Sequence, residues 1–225
     1  SRFSLVGFRK VELEFETFIE ENNGTGIILV FAPQRPPIDY IANLQKVIED
    51  ELSPKVSSIL DNEYLANDWT PQLIKQDNVS GFVKTQLGLV DRMILQGPPG
   101  TGKTFMIAEL CKDLCEAGHS VLVTALTNRA LMEIAEKSSL LDLLKQGCVG
   151  KTNMSADEHR ENKDLVPLKQ ILPTPGHVVL SSYFITSGFA AELSCDSPFD
   201  YLIMDEASQA LLVMFAAANK MGKTN

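Results

Sequence analysis

The chain has 225 residues, room for one large domain or one and a half ordinary ones, and its 44% hydrophobic and 22% charged content excludes intrinsic disorder. A net charge of −9 excludes a uniformly basic nucleic-acid coat and leaves a local groove as the way to hold such a polymer. No apolar run approaches the ~20 residues of a membrane span. Ser1-Arg2-Phe3-Ser4 has neither a signal-peptide pattern nor an initiator methionine, so the expectation is an intracellular piece of a longer chain, cytoplasmic or, in a eukaryote, nuclear, with no membrane partner.

Residues 1–37 read as a small β-rich accessory region. Val11-Glu12-Leu13-Glu14-Phe15-Glu16 alternates apolar and acidic residues, the pattern of a half-buried strand. After the turn signal Asn22-Asn23-Gly24, Ile27-Ile28-Leu29-Val30-Phe31 is an apolar run of strand length, and Ala32 to Pro37 form a stiff connector. Residues 38–75 read as a helical stalk: Ile41, Leu44, Val47, Ile48 and Leu52 share one helix face, and Pro54 is expected to break the run.

From residue 76 to residue 225 the order changes to alternating strands and helices. Strands are predicted at Met93-Ile94-Leu95, Val121-Leu122-Val123, Val178-Val179-Leu180 and Tyr201-Leu202-Ile203-Met204. A helix starting at Lys103 carries Ile107, Leu110, Cys111, Leu114 and Cys115 on one stripe and stops at Gly118; another spans Asn128 to Lys137. Short buried strands separated by helices give an α/β fold, a parallel sheet with helices on both faces. The polar stretch from Ser155 to Leu172 reads as a partly helical insertion over that sheet. Cys111, Cys115, Cys148 and Cys195 form no CxxC pair, so the first two read as small buried apolar residues rather than metal ligands.

Gly97-Pro98-Pro99-Gly100-Thr101-Gly102-Lys103-Thr104 is a phosphate loop, GxxxxGK[ST], between a predicted strand and a predicted helix. Its glycines let backbone N–H groups converge on an anion, and the helix that follows turns its positive end toward the same charge. Pro98 and Pro99 stiffen the loop. In this arrangement Lys103 reaches the β- and γ-phosphates of ATP, and the Thr104 hydroxyl ligates Mg²⁺. Gly150-Lys151-Thr152 and Gly222-Lys223-Thr224 also read GKT, but Lys145 and Ala217 stand where the first glycine belongs, so neither is a phosphate site.

Phosphoryl transfer to water also needs a second Mg²⁺ partner and a base. Asp205 and Glu206, at the end of an apolar strand, fit those roles: Asp205 toward the metal and Glu206 as general base. After Asp205 the remaining basic residues are Lys220 and Lys223, on what reads as a ragged end.

Asp205-Glu206-Ala207-Ser208-Gln209-Ala210 resembles motif II of superfamily 1 helicases, in the branch of the nonsense-transcript regulator, senataxin and the immunoglobulin mu-binding helicase. Gln96 to Thr104 is similar to motif I of that branch, and Val121 to Ala130 to motif Ia; Cys148-Val149-Gly150 resembles a strand-and-glycine feature that follows it. The resemblance implies a RecA-like P-loop NTPase domain, residues 76–225, with a barrel and stalk before it. It implies a catalytic set of Lys103, Glu206 and Gln209, and single-stranded DNA or RNA held at Thr127 and Asn128. The oligomeric state is left open.

The sequence departs from the family at Leu126, where proline or serine is usual, and at Val79 or Ser80, where the adenine-reading glutamine is expected; Gln76 and Gln86 are off register, and Ser182 replaces a threonine. Neither the motif III glutamine nor a second RecA-like half, which supplies arginines to the ATP site in the family, lies within these residues. Little turnover is therefore expected from this segment alone. A chaperone-like ring ATPase and an ATPase relic acting as a binding module remain as alternatives.

Overall fold

Six parallel strands carry the structure, a computed structural model that describes residues 38–50, 53–60, 73–74, 79–87, 89–90, 92–98, 100–194 and 196–224, together with residue 20. The chain divides into two units between Arg35 and Pro36. The strands expected at 11–16 and 27–31 and the connector at 32–37 lie outside the described residues.

The elements of the second unit run α1 (Ile38–Ile48), α2 (Pro54–Leu60), α3 (Val79–Leu87), α4 (Lys103–Glu116), β1 (Val121–Ala125), α5 (Asn128–Ala135), α6 (Leu141–Lys145), β2 (Val149–Thr152), α7 (Ala156–Glu161), β3 (Val166–Leu168), β4 (Val178–Ser182), α8 (Tyr183–Glu192), β5 (Phe199–Met204), α9 (Leu212–Asn219) and β6 (Gly222–Thr224). Their order across the sheet is β3-β2-β4-β1-β5-β6. Central β1 aligns Val121 with Val178 of β4 on one side and with Tyr201 of β5 on the other.

Alternation along the strands produces the two covered faces. Val121, Val123, Ala125, Val178 and Leu180 join the core cluster built by α3, α4, α5 and α6, while Leu122, Val179 and Leu202 join a second cluster with α1, α2, α8 and α9. Each fully buried Val or Leu contributes about 1.5–3 kcal/mol, so both faces are needed to hold the sheet. The expected parallel sheet with helices on both faces is present. Val47, Val56 and Ile59, from the segment read as a stalk, sit in the second cluster against Leu122 and Val179.

The stripe of α4 is buried as expected, at Ile107, Leu110, Cys111, Leu114 and Cys115. The helix closes on Gly118, at φ +85, with Gly118 N–H donating to the Cys115 carbonyl and His119 N–H to that of Leu114, 2.9 and 3.0 Å. That is a glycine-closed helix end, which needs the left-handed conformation. Burial raises the Cys111 thiol's pKa and lifts that of Cys115 to about 11. Both are core residues, in line with their apolar reading.

Four expectations change. Residues 92–98 carry no strand; Met93 and Leu95 pack on the core, Ile94 is 73% exposed, and the sheet ends at β6. Pro54 starts a helix instead of ending one, because proline fits a helix's first position and Ser53 accepts a hydrogen bond there from Val56 N–H, 3.3 Å. The insertion does more than lie over the sheet: Val166-Pro167-Leu168 adds its edge strand, where a missing N–H is tolerated. The ragged end is ordered. Lys220 is 2% exposed, paired with Asp50 and donating to the Leu193 carbonyl at 3.0 Å, and Lys223 pairs with Asp200 at 2.8 Å.

Both decoy GKT segments lie in strands, β2 and β6, and Lys151 is buried in an ion pair with Glu158 at 3.1 Å. Among the described residues no helix is long and apolar enough to cross a membrane.

Candidate nucleotide site

The phosphate loop is built by two left-handed glycines. Gly100 and Gly102 both sit at φ +80, with open space where a Cβ would be. Any other residue would pay about 1–2 kcal/mol for that conformation. Gly97 is constrained differently: a Cβ there would lie 2.8 Å from Thr101 Oγ1. The Thr101 hydroxyl donates to the Pro98 carbonyl at 2.8 Å, tightening the turn. Pro99 lies outside the described residues.

Gly102 is also the cap of α4 and offers no side chain to its first N–H groups, which leaves them for an anion. Lys103 Nζ rests on the loop itself, donating to the carbonyls of Gly97 at 2.7 Å and Pro98 at 3.0 Å. Thr104 follows on the first turn and is half-buried.

The loop's place relative to the sheet follows from the run of α4. The C-terminal end of α4 is tied to the amino ends of the strands: His119 follows it, accepts from Gly176 N–H, and precedes Val121, whose N–H donates to the His177 carbonyl. At ~1.5 Å per residue its 14 residues span about 21 Å, carrying Gly102 and Lys103 back toward the carboxyl ends.

Those carboxyl ends hold the acidic pair. In register, Thr124 lies beside Met204, and Ala125 beside Ser182. One residue beyond β5, Asp205 N–H donates to the Thr124 carbonyl at 2.9 Å, extending the ladder by one bond. The chain then turns sharply: Glu206 has φ 55 and ψ 32, left-handed without being glycine. Its N–H donates to Asp205 Oδ1 at 2.9 Å, and its carbonyl accepts from Gln209 N–H at 2.9 Å.

Glu206 Oε2 is buried and has no hydrogen-bond partner among the described residues. A buried unpaired carboxylate oxygen is costly unless a ligand or water satisfies it.

Tyr183 was not found from sequence. Its hydroxyl donates to the Asp205 carbonyl at 2.7 Å. Burial first, then the charges of Asp205 and Glu206, push its phenol pKa up and keep it a donor. The signal available was its position, one residue past β4 at the edge where site residues gather.

Thr127 and Asn128 are exposed just past β1. Thr127 caps α5, accepting from Ala130 N–H at 3.1 Å, so its hydroxyl hydrogen and the first N–H groups of the helix face outward together. Leu126 beside them is 39% exposed. Val79 and Ser80 open α3, and Gln86 lies near its other end; Gln76 is outside the described residues.

Hydroxyl and carboxylate oxygens at Thr104 and Asp205 are the hard donors that Mg²⁺ takes. Among the described residues no three His, Cys, Asp or Glu side chains converge as an all-protein metal site. A divalent ion at this edge would therefore share its coordination with phosphate oxygens, which the donor set fits.

Residues 75–166 match the family model described as an AAA domain. The DNA replication ATP-dependent helicase/nuclease DNA2 of Saccharomyces cerevisiae is 28% identical over 177 residues, covering 74% of this chain and 11% of that protein. The Schizosaccharomyces pombe enzyme of the same description is 29% identical, covering 93% of this chain and 15% of its own length. The chain thus spans a small part of the relatives it matches. The UvsW helicase of bacteriophage T4 aligns over 93% of this chain and 77% of its own at 16% identity and a TM-score of 0.43. Neither the ring-type nor the relic alternative is favoured by these relatives. The phosphate loop and the carboxylate-ended strand in a parallel sheet give this chain an α/β fold of the P-loop NTPase type, similar in sequence to these helicase/nucleases.

Proposed function

We propose that this domain binds Mg·ATP between Gly97 and Thr104 and hydrolyses it to ADP and phosphate, driving movement along single-stranded DNA or RNA. The observation that carries the proposal is the buried, unpaired Glu206 Oε2 beside Asp205 at the carboxyl end of β5. Lys103 would leave the Gly97 and Pro98 carbonyls for the β- and γ-phosphates. Thr104 and Asp205 would hold Mg²⁺, which when bound neutralises charge on those phosphates. Glu206 would take a proton from the attacking water, with Gln209, tied to the Glu206 carbonyl, close behind it. Thr127 and Asn128 would meet the nucleic-acid backbone, where phosphate contacts position a strand without reading its sequence.

Two finer readings belong to the same proposal. DNA is favoured as the strand because the relatives are named as DNA replication enzymes. Asp205 to Ala210 favours the branch of the nonsense-transcript regulator within superfamily 1.

The test is single-turnover phosphate release, protein in excess over labelled ATP, with Glu206→Gln as the comparison. The amide should bind ATP as tightly and release phosphate ~10²–10⁴-fold more slowly, the usual loss of a general base. Wild-type release measurably above background, with Glu206→Gln within a few-fold of it, would refute the role of Glu206 and with it the proposed site.

A further inference from the structure

β4 and β5 lie on opposite sides of β1, and the first residue after β4 reaches the first residue after β5 across the end of β1. The side chain making that bridge is Tyr183, 3% exposed, whose hydroxyl donates to the Asp205 carbonyl at 2.7 Å. The gap it crosses is about two strand spacings of ~4.8 Å. A smaller hydroxyl residue could not span it, and a phenylalanine would span it without the bond.

The peptide held in this way is the one between Asp205 and Glu206. Its residues depart from β geometry at this bond: the β5–β1 ladder ends with Asp205 N–H on Thr124, and Glu206 then stands left-handed at φ 55. For a residue with a Cβ that conformation is disfavoured and persists where its surroundings enforce it. Glu206 N–H on Asp205 Oδ1 and Gln209 N–H on the Glu206 carbonyl are local bonds, free to move with the turn. The Tyr183 hydroxyl comes from another element, and through it α8 fixes the orientation of the Asp205 carbonyl. Rotating that peptide relaxes Glu206 and carries its carboxylate away.

We infer that Tyr183 is a positioning residue of the proposed ATP site: by holding the Asp205 carbonyl it keeps Glu206 left-handed and its Oε2 in the buried, unpaired position. The inference rests on the role proposed for Glu206. Tyr183 itself touches no substrate in this arrangement and acts through its neighbour.

Tyr183→Phe keeps the ring and its packing and deletes the bond, and Tyr40→Phe, in the α1 residue that stacks on Phe184 with ring centroids 5.1 Å apart, serves as the control. Tyr183→Phe should slow single-turnover phosphate release about tenfold, the effect of one hydrogen bond on a barrier. Nucleotide Kd should stay within twofold of wild type, because the phosphate loop is untouched. In the Glu206→Gln background the same change should slow release no further, since a residue acting through Glu206 has nothing left to position. A crystal structure of Tyr183→Phe should show the Asp205–Glu206 peptide rotated and Glu206 at negative φ.

Glu206 still left-handed in that structure, or equal slowing in both backgrounds, overturns the inference. So does a wild-type release rate in Tyr183→Phe while Lys103→Ala still loses nucleotide, and that outcome leaves the proposed function standing. If wild type itself fails to bind ATP, the proposed function fails, and the Tyr183→Phe structure alone decides whether the hydroxyl holds Glu206.

Discussion

Replacing Lys103 with alanine isolates the electrostatic part of nucleotide binding. In the structure the ammonium makes two hydrogen bonds, to the Gly97 carbonyl at 2.7 Å and the Pro98 carbonyl at 3.0 Å. Both acceptors belong to the loop proposed to receive the phosphates, so a bound nucleotide would take over a charge already held in place. A charge-assisted hydrogen bond is worth ~1.5–3 kcal/mol. Converted at ~1.4 kcal/mol per tenfold, that is a loss of about 10- to 140-fold in affinity. Giving up the two carbonyl contacts offsets part of the gain in wild type, so the lower half of that range is expected. Stability should move little, since the side chain is part-exposed at the loop and absent from both core clusters. A change under ~1 kcal/mol corresponds to at most a few degrees in Tm for a domain of this size. Titration with a fluorescent ATP analogue measures the affinity, and a thermal melt checks the fold. Equal Kd values for wild type and Lys103→Ala, with matching melts, would refute the placement of the phosphates on this loop.

Lys220→Ala removes a buried ammonium from Asp50 and from the Leu193 carbonyl, and breaking a buried pair of this kind costs about 3 kcal/mol or more. Urea unfolding should register the loss, and a midpoint unchanged from wild type would mean that the pair contributes nothing net. Asp200 is held down to about 2 from its ordinary 3.8, chiefly by the hydrogen bond from Lys223 and then by the Ser120 N–H. A lowered folded-state pKa stabilises fully above the unfolded value and is lost as pH falls through the folded one, so this contribution should fade between about pH 4 and pH 2. Lys223→Ala should therefore destabilise at pH 6, by about 1 kcal/mol after solvent screening, and progressively less toward pH 2. Equal destabilisation at both ends of that range would contradict the coupling.

Where the sequence was legible, one physical signal dominated. The α4 stripe, the cores of β1, β4 and β5 and the phosphate loop each follow from local pattern or local stereochemistry, and each is present. Asp205 and Glu206 stand out in the sequence as candidates because they close an apolar strand in a chain that also carries a phosphate loop, and the structure places them one and two residues past β5. The failures involve partners distant in sequence. Met93-Ile94-Leu95 has the composition of a strand, yet a strand exists through its neighbours, and composition does not report them. Val166–Leu168 is hidden in a polar stretch read as an insertion, and its Pro167 is tolerated because the strand lies at a sheet edge. Lys220 looked like a solvated terminal charge until Asp50, 170 residues earlier, was found against it. Tyr183 belongs with these: its phenol bonds a carbonyl 22 residues on, and only its place one residue past β4 sets it apart from other core aromatics.

The two-sided core sets a practical limit on how this protein can be cut. The matched family region, residues 75–166, includes β1 and β2 and begins after α1 and α2. Expressing those residues alone would remove β4 from between β1 and β2 and β5 from the other side of β1. Both ladder edges of a fully buried strand would then open, and Leu122, no longer covered by Val47, Val56 and the alanines of α9, would face water. Such an edge is a template for another chain. Insolubility of the short piece would be a statement about pairing geometry, and cloning limits for nucleotide studies belong no later than Ile38 and no earlier than Thr224.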